Sequence, residues 1–143
     1  MKRGSVFVLF LIGPLGIFLA GCQTDSRQQV LLTDKSAVEL RAMQTRAFET
    51  TNKLLTIRNV ISTMQDLGFV VDKVDDALGT VSGTKLSGYA MRMTVTVRPH
   101  GAGQLAVRAS AQYDLTAVSD PKPYQQFFAA LEKAMFLTAN EVD

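Results

Sequence analysis

The chain has 143 residues, with 15 lysines and arginines against 13 aspartates and glutamates, one histidine and one cysteine. That length holds one domain with a real core rather than two of ordinary size, and a lone cysteine forms neither an intramolecular disulfide nor a thiolate metal cluster. The small positive excess lies in Lys2 and Arg3, without which 13 basic residues face 13 acidic ones, so the rest lacks the basic footprint of a nucleic-acid binder.

Met1-Lys2-Arg3 is followed by an uncharged, largely apolar run from Gly4 to Gly21 and then by Cys22. A charged start, an apolar stretch and small residues at a cleavage point are the three parts of an export signal. The rival reading is an uncleaved membrane helix, since the run reaches spanning length; Gly13, Pro14 and Gly16 in its middle weaken a regular helix. Leu19-Ala20-Gly21-Cys22 resembles the lipobox of bacterial lipoproteins, which has an aliphatic residue, a small residue, Gly or Ala, and then the acylated cysteine. The resemblance implies that residues 1–21 are a lipoprotein signal peptide and that Cys22 carries a diacylglyceryl thioether, with a further acyl chain such as palmitate on its amine. Two or three chains make an anchor stable where one is marginal. Gln23 stands where an Asp tends to hold such proteins in the inner membrane, so the same resemblance implies the outer membrane, on its periplasmic face.

Residues 22–37 are expected to be a flexible tether, polar except at Val30-Leu31-Leu32, and residues 38–143 a single α+β periplasmic domain. Residues 40–49 contain no Gly or Pro and alternate loosely, which suggests a first strand. Thr50, Thr51 and Asn52 offer capping oxygens for a helix over 53–67. Leu54, Ile57, Val60, Ile61, Met64 and Leu67 make its buried stripe, Gly68 its left-handed stop, and Phe69 folds back onto the stripe.

Residues 69–74 are rich in β-branched side chains and predict a strand, Asp75-Asp76-Ala77 a turn, and residues 78–85 a returning strand. Gly79 and Gly83 weaken that strand unless something approaches closely, which we expect to be a packed helix. Residues 89–98 and 104–113 then alternate strictly. Tyr89, Met91, Met93, Val95 and Val97 share one face with Leu105, Val107, Ala109, Ala111 and Tyr113. A five-residue loop over 99–103 would set Val97 opposite Leu105 and Tyr89 opposite Tyr113. Asp120 caps a last helix, with Pro121 in its first turn and Tyr124, Phe127, Phe128, Leu131 and Met135 as its apolar stripe. The order β-α-β-β-β-β-α predicts an antiparallel sheet of about five strands with two helices on one face, helix-grip-like. The run from Met64 to Asp72, with Leu78, Gly79 and Val81, resembles the helix-into-strand unit of the helix-grip modules of envelope lipoproteins such as BamC of the outer-membrane assembly machinery.

No constellation of catalytic or metal-binding type emerges. Gly79 to Lys85 lacks the glycine spacing and following helix of a P-loop, and Asp72, Asp75 and Asp76 read as an acidic hairpin turn rather than a Ca²⁺ loop. Met91 and Met93 point to the core. His100 has no nucleophile or co-ligand evident in the sequence. What remains is the polar side of the long hairpin. Arg92, Thr94, Thr96, Arg98, Arg108, Ser110 and Gln112, with His100 at its end, could take a partner's loop, a glycan or an anionic lipid group; a merely solvated face is the plainer alternative. The sequence therefore points to a non-catalytic interaction module for another envelope protein, without cofactor, metal or nucleic acid. The alternative is a carrier that grips a lipid or other apolar ligand between helices and sheet, with Phe127, Phe128, Tyr89 and Tyr113 lining the cavity.

Overall fold

The structure, a computed structural model, describes residues 36–140. Leu19, Ala20, Gly21, Cys22 and most of the tether lie outside the described residues. Residues 36–44 form a helix, α1, and strand β1 is confined to Thr45–Phe48. The strand expected over 40–49 is thus half helix, and residues 36 and 37 of the expected tether are already helical. Ala37, Glu39, Leu40, Arg41, Ala42, Met43 and Gln44 are all good helix formers except in one respect, that their run is short. Leu40 and Met43, three residues apart on one side, supply the tertiary packing that such a helix needs.

Helix α2 spans Lys53–Asp66 and is capped as expected, with Asn52 Oδ1 accepting from Leu55 N at 3.0 Å. Its end is a Schellman turn. Phe69 N donates to Met64 O and Gly68 N to Gln65 O, both at 2.9 Å, while Gly68 takes φ +83°. Phe69 then packs beside Met64 in the core. Ile57, Val60 and Met64 are buried, but Leu54, expected with them, is half exposed. The buried face is instead widened by Thr56, Asn59 and Thr63.

Five strands follow: β2 (Val70–Asp75), β3 (Thr80–Ser87), β4 (Tyr89–His100), β5 (Gln104–Tyr113) and the short β6 (Thr116–Ala117). Every pairing is antiparallel and the order across the sheet is β1-β5-β4-β3-β2, with β6 paired to β5 on the same edge as β1. β6 is not predicted by the sequence pattern, since two residues carry no periodicity. The long hairpin keeps its predicted facing but not its partners. Val97 lies opposite Val107, Leu105 opposite Pro99, and Tyr113 opposite Met91. The reason is the turn: Gly101 and Gly103 both take positive φ, so Gly101-Ala102-Gly103 closes it in three residues and His100 pairs with Gln104. A slip of two residues preserves which side each chain faces.

Helix α3 spans Lys122–Asn140. Asp120 Oδ1 accepts from Lys122 N at 3.0 Å, and Pro121 O takes the first helical bond from Gln125 N. Tyr124, Phe127, Phe128 and Leu131 are buried against the sheet and Met135 is partly so. The fold is therefore α+β, with a six-stranded antiparallel sheet whose inner face is covered by α2 and α3. The core runs from Val81 through Met93, Val95, Val97, Leu105, Val107, Ala109 and Ala111 to those helical side chains. The Tyr124 hydroxyl joins α1, β5 and the chain before α3. It donates to Val118 O at 2.7 Å and accepts from Ala111 N and Gln44 Nε2 at 3.3 and 3.2 Å.

Of the two glycines in the β2–β3 hairpin, Gly83 lies under a helix as expected: a Cβ there would meet Met64 Cε of α2 and Val70 O, both at 2.9 Å. At Gly79, where φ is +66°, a Cβ would meet first the Val97 carbonyl of β4 and then Lys53 Cε of α2 at 2.7 Å, so the close approach there is made mainly by a strand. Gly79 belongs to the turn rather than the strand.

Candidate interaction surface

Because α2 and α3 pack against the same side of the sheet, the other side has no helix over it among the described residues. Register shows what that side carries. Arg92 lies opposite Gln112, Thr94 opposite Ser110, Thr96 opposite Arg108, and Arg98 opposite Ala106. Residues directly opposite on antiparallel strands point to one face, so Arg92, Thr94, Arg98, Arg108 and Gln112 are brought together as the alternation predicts. His100, opposite Gln104, closes the same row as the last residue of β4, exposed and in the strand rather than the loop.

β3 extends the row. Thr80, Ser82 and Thr84 pair with Thr96, Thr94 and Arg92, and Ser82 Oγ and Thr94 Oγ1 share a hydrogen bond of 3.1 Å. Ser110 Oγ donates to Thr94 O at 3.3 Å, and Thr84 Oγ1 to Asp72 Oδ2 at 2.6 Å. The middle of the face is a belt of small hydroxyl side chains with guanidinium groups around it. Thr80, Ser82 and Thr84 alternate in the sequence with Val81 and Gly83, a pattern that, paired with β4, places them on this face.

Near the β5 edge the face is shallowly concave, lined by Thr45, Thr96, Arg98, Ala106, Arg108 and Ser110. Thr45 reaches this lining because β1 sets it opposite Arg108. Small side chains at Ala106 and Ser110 leave the floor low while Arg98 and Arg108, diagonal to each other across the strand pair, form its rim. Arg108 Nη2 leans toward Gln44 Oε1 at 3.4 Å, whereas the guanidinium groups of Arg92 and Arg98 have no hydrogen-bonding or ionic partner among the described residues. Exposed guanidinium groups with their donors free are suited to carboxylate or phosphate oxygens, which they bind in a fork.

The other sequence candidates have local roles. Asp75 Oδ1 accepts from Leu78 N at 2.8 Å, a turn bond, while Asp72 is engaged by Thr84. Lys85, ending the P-loop-like stretch, lies in β3 with its ammonium 5.8 Å above the Phe69 ring. Met93 is buried and Met91 partly buried on the inner face.

A second concavity, of ≈ 170 Å³, opens between the end of α2, the start of α3 and the sheet, lined by Leu67, Phe69, Tyr89, Met91, Met93 and Tyr113 among others. It exists because β4 is longer than its cover: 12 residues of strand rise ~40 Å, whereas the 14 residues of α2 span ~21 Å. Tyr89 and Tyr113, predicted on the core side, do face it, but beyond the helices; their rings meet edge to face with centroids 6.5 Å apart. Phe127 and Phe128 do not line it, being buried in the core. No helix among the described residues is long and apolar enough to cross a membrane.

The geometry defines an α+β module with one helix-covered and one bare sheet face. No family model matches the chain, and no curated protein matches it in sequence.

Proposed function

We propose that this chain is an envelope lipoprotein, acylated at Cys22 of its Leu19-Ala20-Gly21-Cys22 lipobox and held at the periplasmic face of the outer membrane, whose domain binds another envelope protein without catalysing a reaction. The observation that carries this reading is the bare sheet face. It presents hydroxyls and amides on strands whose backbone is already ordered, with free guanidinium groups around them, so a partner need order only the long side chains on binding. The charge of that array selects an acidic surface on the partner. The helix-grip resemblance of Met64 to Asp72 agrees with a small binding module, and leaves the partner open.

The test is recovery of partners from the native membrane by mild detergent extraction of the tagged chain. An acidic envelope protein should copurify in fixed ratio, and Arg92→Glu combined with Arg98→Glu should abolish its recovery at unchanged melting temperature. Unchanged recovery from the double variant would remove the bare face as the binding site. One observation favours a second reading: the ≈ 170 Å³ concavity at Tyr89 and Tyr113 would suit the end of an apolar ligand. A carrier would retain a small molecule through the same extraction, seen in its intact native mass.

A further inference from the structure

The three most exposed of the large apolar side chains lie at one end of the sheet. Leu86 is 81% exposed, Tyr89 82% and Leu115 97%. Leu86 and Tyr89 flank the tight turn at Gly88 that joins β3 to β4, and Leu115 lies in the turn joining β5 to β6, next to Tyr113. They do not belong to one face. Leu86 lies opposite Ala90, in phase with Thr84 and Arg92 on the bare side, while Tyr89 is in phase with Met91 and Met93 on the covered side. A surface that meets both must therefore meet the end of the sheet, across the strands.

The chain reaches β1 from that same end. Thr45 lies opposite Arg108 and Phe48 opposite Leu105, so the approach to Thr45 is from the Tyr113 side. Gln44, the last residue of α1, is held there by the Tyr124 hydroxyl, itself bonded to Ala111 N and Val118 O. Between Cys22 and Ser36 there are 14 residue steps, about 48 Å when extended and roughly 20 Å as a flexible coil. The opposite end exposes Leu54 and Leu78, but beside Lys53, Asp75 and Asp76, which favour water.

From this we infer that the sheet end bearing Leu86, Tyr89 and Leu115 seats in the headgroup region of the bilayer that anchors Cys22; the inference rests on the lipoprotein reading above. Tyrosines with an apolar ring and a polar tip favour that boundary, and an exposed apolar patch beside a lipid anchor adds buried area to a binding already made local. Asp114, between Tyr113 and Leu115 in the turn, keeps the contact shallow, with its carboxylate among headgroups and water. The seat holds the strands upright, so that the bare face looks sideways along the membrane and the Gly101-Ala102-Gly103 turn stands farthest from it.

The experiment uses the full acylated chain in vesicles of phosphatidylethanolamine and phosphatidylglycerol. Leu86→Cys, Leu115→Cys and, at the far turn, Ala102→Cys each accept one environment-sensitive fluorophore, because the thiol of Cys22 is consumed by lipid. All three positions are exposed. Probes at 86 and 115 should shift to the blue and lose intensity to nitroxide lipids, and the probe at 102 should do neither. Equal behaviour of the three probes, on a chain that floats with the vesicles and has an acylated intact mass, overturns the seating alone. A chain of unprocessed mass that stays in solution overturns the anchor, and the seating with it.

Discussion

β4 and β5 carry two surfaces made from alternate residues of the same strands, and the two differ in what depends on them. On the covered side Met93, Val95, Val97, Val107 and Ala109 are at most 1% exposed, and they belong to one core cluster with side chains of α2 and α3. On the bare side Thr94 and Thr96 are half-buried only by their strand neighbours, and Arg92, Arg98 and Arg108 are exposed. Stability comes mainly from the first surface, since apolar burial is worth about 25 cal/mol per Å² and the second buries little. The second surface is thereby free to be chosen for recognition, within the limit that strands accept Thr, Ser and Arg.

The sharpest way to break this comparison is to empty the covered side. Phe127 is fully buried and packs edge to face on Phe128, 5.2 Å between centroids. Phe127→Ala should cost about 3–5 kcal/mol, measured by urea unfolding. A loss below 1 kcal/mol would mean that α3 is a loose cover, and the division between the faces would fail. A smaller effect is expected from filling the space between layers. At Gly83 an added methyl meets the Val70 carbonyl, which is fixed in β2, and Met64 Cε, which can turn aside. Gly83→Ala should cost about 1–3 kcal/mol, read as a lowered thermal midpoint; an unchanged midpoint would show that α2 does not press on the β2–β3 hairpin.

Most of the fold was legible because its long elements repeat their period many times. The stripe of α3, the alternation of the long hairpin and the Asn52 and Gly68 ends of α2 each rest on several residues that agree. What was misread is short or depends on partners far away. α1 and β1 divide residues 36–48, and Leu40 and Met43 fit a helix as well as Met43 and Thr45 fit a strand; the decision comes from docking beside α3, which no local pattern encodes. The hairpin register turned on whether Pro99 and His100 belong to the strand, a matter of how tightly two positive-φ glycines close the turn. The candidate face was legible as a row of alternate residues. Its β3 portion and its concave edge beside Thr45 were not, because they follow from pairing. The exposed end at Tyr89 and Leu86 was hidden for a related reason: alternation tells which face a residue takes, but not where the covering helices stop.

Thr63 sharpens the comparison from inside the covered side, where the smallest effect is expected and its sign is opposite. Its side chain is 1% exposed, and its hydroxyl has no hydrogen-bond partner among the described residues. Two turns earlier on the same face Thr56 Oγ1 donates to Asn52 O at 2.9 Å, so the helix can satisfy such a group and at Thr63 does not. A buried hydroxyl without a partner costs about 1–3 kcal/mol. Valine has nearly the same shape and a similar helix propensity. Thr63→Val should therefore stabilise the domain by about 1 kcal/mol, raising the urea midpoint with an unchanged slope. A lower midpoint would mean that the hydroxyl is satisfied in solution, by water entering between α2 and α3, and the covered side would then be wetter than its packing implies. Stabilisation would leave a plain contrast with Thr96: an unpartnered threonine hydroxyl under the helices opposes the fold, whereas the same group on the bare face can meet water or a partner.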